Sequence, residues 1–337
     1  MYAGYLRKID KPSKIAKIIA ITCKQQGIEL VYFTPKDVNL KTHMVNGKIF
    51  LNNQWVKIEV PIPKCIDVNP YLYFSNKKVM GYLNRNSILS PNQFGIISKD
   101  KLQRKLLESG KVNYLAIPTS KISNFNDLLD YVIRFKKVVV KPKNGLQGKN
   151  VYVLKVKDND FLLGLQKSEE KVTQEQLQIF YEESLHNKGY LIQKYISSTN
   201  IHGDPYDCRI HLEKDGQGEW KVLRNYIRIG IGQKVVSNIN QGGGIGDLKP
   251  FLQSNFPSDW KKVRSRIRKI GKVLPYEIEK VLDNKFSTMG IDVGIDKGGN
   301  PYVFEINSYP IVSPVLADVA MTRAEYYKYV LEKANCK

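Results

Sequence analysis

The run Gly290-Ile291-Asp292-Val293-Gly294-Ile295-Asp296, the turn Lys297-Gly298-Gly299-Asn300-Pro301 and the run Tyr302-Val303-Phe304-Glu305-Ile306-Asn307-Ser308 decide how this chain is read. Two apolar runs with period-two character flank a cluster of turn residues, which predicts a β-hairpin. Residues two apart in a strand share a face, so Glu305 and Asn307 go to one side and Phe304 and Ile306 to the other. With Asp292 on the neighbouring strand, three oxygen donors lie side by side. Such a set suits a hard divalent cation: Mg2+ takes oxygen ligands and keeps waters or substrate phosphates in its shell, so one or two carboxylates and a neutral oxygen suffice. An ordinary polar strand face is the competing reading, and the rest of the chain has to supply the context.

The chain has 337 residues, 42% of them hydrophobic, enough for two or three domains with buried cores. No apolar run approaches the ~20 residues of a membrane span, and no apolar signal segment follows Met1, so no membrane partner and a cytoplasmic location are expected. Cys23, Cys65, Cys208 and Cys336 lie far apart and form no C-x-x-C pair, which argues against structural zinc and a disulfide framework. Cys208 reads as a semi-buried strand cysteine rather than a nucleophile.

Lysine and arginine number 53 against 32 acids, a net charge of +21. A field of that sign attracts nucleotides, nucleic acid, acidic polymers or acidic peptides, and charge alone does not choose among them. Part of the excess falls on one helix between Ser258 and Phe286. There Trp260, Val263, Ile267, Ile270, Leu274, Ile278 and Leu282 keep helical spacing, while Lys261, Lys262, Arg264, Arg268 and Lys269 occupy other positions. That is an amphipathic helix, bent near Pro275, with a solvated basic side.

The first ninety or so residues alternate a helix from Ser13 to Gln26, stopped by Gly27, with short strands such as Glu29–Phe33. A hairpin is punctuated by Asn52-Asn53, between Lys48–Leu51 and Trp55–Ile58. Helices from Lys101 to Glu108 and from Asn124 to Phe135 follow, then the strand Val138–Lys141. A glycine-bearing stretch, Pro142 to Lys149, leads into a strand at Val151–Leu154. It reads as a hairpin turn, or as a phosphate cover in which glycines let backbone N–H groups approach anionic oxygens. Neither G-x-x-x-x-G-K-[ST] nor a strand-to-helix G-x-G-x-x-G is present, and Gly242 to Gly246 reads as loop.

In this order the motifs resemble the ATP-grasp superfamily, and more closely its YheC/YheD-like branch associated with bacterial endospore coats, over about residues 95 to 320. The resemblance implies an α/β (α+β) ATP-grasp fold, with an N-terminal α/β pre-ATP-grasp domain over 1–94. Two α+β subdomains follow: a lid over 95–195 and a C-terminal subdomain with the metal site over 196–337. It implies that Lys101 and Lys141 reach nucleotide phosphates under a flap containing Gly145, Gln147 and Gly148. The hinge Gln193, Lys194, Tyr195 and Ile196 would read the adenine edge through its backbone, with Gln193 replacing the more usual acid. No ribose-binding acid stands in Ser197–Asn200. Arg209 and Arg228 look like the arginines that contact the transferred phosphate or acylphosphate, and Asn240 lies in the polar loop facing the acceptor. Asp292, Glu305 and Asn307 match the Mg2+ triad.

The activity so implied is an ATP- and Mg2+-dependent ligation of a carboxylate to an amine through an acylphosphate. The substrate would be a small molecule, a peptide or an amino-acid-like compound, with an acidic peptide among the possible partners. A non-catalytic spore-coat-associated nucleotide-binding or scaffold protein of the same fold is the alternative, and spore association follows from either. Nucleic-acid binding comes third, since no recognition motif accompanies the basic residues.

Overall fold

Three groups of alternating strands build three sheets in a computed structural model, which describes residues 1–91, 98–143, 150–165, 168–231 and 243–335. In the first sheet Tyr2–Leu6 runs parallel to Glu29–Phe33 on one side and to Cys65–Val68 on the other. The hairpin Met44–Leu51/Gln54–Pro61 extends it, turning at Asn52 and Asn53 with φ of 47° and 64°, the positive pair that a type I′ turn requires. The helix Lys14–Gln25 starts where Ser13 accepts from the Ala16 N–H and stops before Gly27, whose φ of 72° costs a glycine little. Its buried Ala16, Ile19, Ala20 and Cys23 pack with Tyr5, Leu30 and Tyr32 of the sheet.

The second sheet centres on Lys137–Pro142, antiparallel to both Tyr152–Lys157 and Tyr190–Lys194. Thr119–Lys121 pairs with Tyr190–Lys194 at one edge. The helix Phe125–Phe135, capped by Asn124 through the Asp127 N–H, packs Leu128 and Val132 onto Val138, Val140 and Ile192.

The third sheet orders Gly244–Asp247, Trp220–Ile229, Tyr206–Lys214, Thr288–Ile295 and Pro301–Asn307. One face is apolar: Cys208, Ile210, Leu212, Ile291, Val293 and Ile306 lie against Val263, Ile267, Ile270, Leu274 and Ile278 of the helix Trp260–Leu282, which runs with Pro275 inside it. Each fully buried large apolar side chain contributes about 1.5–3 kcal/mol.

Packing adds to this outline. Leu102 and Leu106 of the Lys99–Glu108 helix, and Leu115 after it, belong to the core of the third sheet. Ala320, Ala324, Tyr327 and Leu331 of the helix Leu316–Asn335 complete the core of the N-terminal sheet. Gly244–Asp247 is a strand and not a loop, paired antiparallel with Tyr226–Ile229. An edge strand needs only its backbone to pair, so its glycines gave no alternation to read.

Candidate functional site

Every second residue of Tyr206–Lys214 turns away from the core, yet Asp207, Arg209, His211 and Glu213 are at most 6% exposed. A buried polar face must satisfy itself, and register determines how. Asp207 lies opposite Arg228, Arg209 opposite Asp292, Asp292 opposite Glu305, and Gly290 opposite Asn307. Arg228 grips Asp207 through Nε and Nη2, each at 2.7 Å, and also reaches Asp292 Oδ2 at 2.8 Å. Arg209 holds the same Asp292 carboxylate through Nε and Nη2, and Asn307 donates Nδ2–H to it at 3.3 Å. Burial pushes the Asp292 carboxyl up, but the two guanidiniums overcome that and hold it below the ordinary carboxylate range. Gly290 leaves the room Arg209 needs: a Cβ there would lie 2.8 Å from Pro310 Cβ and 3.1 Å from Arg209 Nη1.

Glu305 is held differently. Its ion-pair partner is Lys99, with Nζ 3.9 Å away, and burial raises its carboxyl against the pull of that lysine. A carboxylate so placed gains from a further cation. Asn307 already turns its amide nitrogen to Asp292, leaving its oxygen as the atom a cation could take. No group of three or more His, Cys, Asp or Glu side chains gathers among the described residues, so the donors do not make an all-protein cage. Two carboxylates and an amide oxygen fit Mg2+ that draws the rest of its shell from phosphates and water.

Lys99 opens a helix anchored to the hairpin by buried Gln103, whose Nε2 donates to Val303 O and whose Oε1 accepts from the Ile117 N–H, both at 2.7 Å. From the second sheet, Lys141 is 8% exposed and donates to Gln193 Oε1 at 2.7 Å. Burial lowers its ammonium to about 8, with Lys99 adding repulsion and Glu305 opposing both. Lys99, Lys141 and Glu305 therefore share one electrostatic neighbourhood, assembled from a helix and two different sheets.

Of the residues singled out in the sequence, Lys141, Gln193, Arg209, Arg228, Asp292, Glu305 and Asn307 come together. Lys101 is exposed, and the lysine at Glu305 is Lys99. Lys99 stands four residues before Gln103, on the same side of the helix, and the docking of Gln103 on Val303 turns that side to the hairpin. In the segment expected to be the hinge, the N–H groups of Lys194 and Tyr195 are bonded to Pro118 O and Lys137 O, so these two donors are already used. The Tyr195 ring lies under the Lys137 ammonium, 3.8 Å from its centroid, and Ile196 is buried. Gly145, Gln147, Gly148 and Asn240 lie outside the described residues. A bulge between Asp292 and Val293 also moves Phe304 off the core side. Its ring covers Gly294, which shares the face of Asp292, so Phe304 sits on the polar face and not with Ile306. Cys208 is buried and its thiol pushed up, as suits a core residue.

The polar face is keyed to the N-terminal sheet. Arg323 bonds Glu213 at 3.1 and 3.0 Å and stands 3.9 Å from Asp67, which also takes Arg7 at 2.8 Å and the Tyr327 hydroxyl at 2.5 Å.

A family model described as YheC/D-like ATP-grasp matches residues 88–336. Endospore coat-associated protein YheD of Bacillus subtilis (strain 168) is 24% identical over 364 residues, covering 98% of this chain and 78% of YheD. Among solved structures, the D-cycloserine synthetase DcsG superposes with a TM-score of 0.53 at 14% identity, covering 99% of each chain. The ATP-grasp ligase PsnB, complexed with a minimal precursor, Mg and ADP, gives 0.50 at 12% identity, over 97% of this chain and 98% of PsnB.

Proposed function

From the premise that this chain belongs to the YheC/D-like ATP-grasp family, we propose that it is an ATP- and Mg2+-dependent ligase that joins a carboxylate to an amine through an acylphosphate. The ATP-grasp fold and its ligase neighbours support the general activity. One observation carries the specific reading: Lys99, Lys141 and Glu305, from three separate elements, converge beside a carboxylate held by two arginines.

A carboxylate is a poor electrophile, and phosphorylation by the γ-phosphate of ATP makes one of its oxygens a leaving group. The amine then adds to the carbonyl carbon and gives up a proton, and the tetrahedral adduct collapses by breaking its C–O bond to inorganic phosphate, leaving the amide. Most of the protein's work in such a sequence is positioning and neutralisation. Lys99 and Lys141 are point charges for phosphate oxygens. The forks of Arg209 and Arg228 pair carboxylate and phosphoryl oxygens bidentately, and Asp292 fixes their planes. Glu305, Asp292 and Asn307 would hold Mg2+, which when bound neutralises charge developing on the transferred phosphoryl group. Gly145, Gln147, Gly148 and Asn240 enter this reading as a cover and acceptor loop, on the resemblance alone. An amino-acid-like or peptide substrate suits the positive field, an acidic peptide best. The association of YheD with endospore coats supports placing this protein at the spore.

A second reading, a nucleotide-binding or scaffold protein without turnover, draws on the engagement of Asp292 by both arginines, which leaves that carboxylate less to offer a metal. ADP release across panels of carboxylates and amines, with hydroxylamine present to trap an acylphosphate, separates the two. Release that requires a carboxylate, together with a hydroxamate product, supports the ligase. ATP binding with no turnover on any pair supports the scaffold.

A further inference from the structure

The Lys141 ammonium has only hydrogens to offer, so the Gln193 atom 2.7 Å away has to be Oε1. That assignment fixes the amide: Nε2, which only donates, meets Thr119 Oγ1 at 2.7 Å, and the Thr119 hydroxyl passes its own hydrogen to Ile117 O at 2.8 Å. The chain of donors runs one way from ammonium to backbone carbonyl. Gln193 and Lys141 are both buried, at 3% and 8% exposed. The charged groups acting on the ammonium are Lys99 from its helix and Glu305 from the hairpin, while Gln193 and Thr119 add none.

A glutamate at 193 would upset this in two ways. It accepts but does not donate, so Thr119 would have to abandon Ile117 O or face the carboxylate with lone pairs. It would also form an ion pair with Lys141 and remove one positive charge from the site. We propose that the Gln193 side chain is a positioning residue, a neutral clamp that aims the Lys141 ammonium while leaving its charge unspent for a polyphosphate. The inference rests on the reading of Lys141 as a nucleotide contact, and it gives Gln193 a side-chain role beside any backbone contact with the base.

Calorimetric titrations of ATP and of adenosine, with Mg2+ and at several salt concentrations, test it on wild type, Gln193→Glu, Gln193→Met and Lys141→Met. Lys141→Met should weaken ATP about tenfold or more, the loss expected for a hydrogen bond to a charged group. Gln193→Glu, nearly isosteric, should weaken ATP about tenfold, leave adenosine unchanged and flatten the salt dependence of ATP binding. Gln193→Met frees the lysine but keeps its charge, so ATP weakens while the salt dependence stays that of wild type. If Lys141→Met binds ATP as wild type does, the nucleotide role of Lys141 fails and the clamp has nothing to aim. If Lys141→Met is impaired while both Gln193 variants match wild type, the clamp is refuted and the nucleotide reading survives. A parallel loss of adenosine affinity in Gln193→Glu would also overturn the clamp, by assigning the residue to the base pocket.

Discussion

Replacing Glu305 by glutamine should separate a residue kept for its ligand from one kept for the fold. Lys99 lies 3.9 Å from the carboxylate, an attraction of about 4 kcal/mol at an effective dielectric near 20. Against it stands the desolvation of a largely buried carboxylate, which costs several kcal/mol. The upward displacement of the Glu305 carboxyl says which side wins: burial outweighs the lysine. Glutamine removes both terms and still offers Lys99 an oxygen. The apo variant should therefore be unchanged in stability or more stable by up to about 1 kcal/mol. Mg2+-dependent ATP binding should fall at least about 100-fold, since even groups that only support a metal ligand cost up to that much. Urea unfolding of the apo protein and calorimetric titration of ATP with and without Mg2+ read the two effects. Destabilisation of about 3 kcal/mol or more, the signature of a broken buried pair, would refute the reasoning, as would unaltered ATP binding in Mg2+.

Arg323→Met should behave in the opposite way, losing about 3–5 kcal/mol because Glu213 and Asp67 are left buried with less compensation; the urea midpoint reports it. Gly290→Ala drives a methyl against Pro310 and Arg209 and should cost about 1–3 kcal/mol of stability, read by thermal unfolding, with ATP affinity falling alongside. Lys99→Met should weaken ATP about tenfold or more while Lys101→Met leaves it unchanged, and equal effects in a titration would undo the assignment of Lys99. With Lys141 lowered to about 8, ATP affinity should decline as pH rises through that value. Over the interval from there to the ordinary lysine range, the unfolded chain holds a proton the folded apo protein has released. Apo stability should therefore rise with pH over that interval, and matched titrations and unfolding curves show whether the two trends oppose.

Alternation and turn chemistry made much of this architecture legible. Glu305 and Asn307, two apart on a strand, share the polar face, and the Asn52-Asn53 turn and the Gly27 stop fall where residue type puts them. What pattern did not reveal depends on contacts between distant segments. Lys99 and Lys101 flank one aspartate, and only the docking of Gln103 on Val303 decides which lysine faces Glu305. Phe304 followed the alternation on paper, but a bulge shifted its register by one. Nothing local says that Leu316–Asn335 completes the N-terminal core, because its partners lie some three hundred residues earlier. The side-chain link from Lys141 to Gln193 joins neighbouring strands 52 residues apart in sequence.

Calorimetric titration of the wild-type protein with ATP, in Mg2+ and again in excess chelator, bears most directly on the claim that this polar sheet face is a magnesium-nucleotide site. Saturable binding that strengthens on adding Mg2+, and that is lost in Lys141→Met, is the predicted result. Absence of ATP binding, or binding indifferent to both Mg2+ and Lys141, would contradict it.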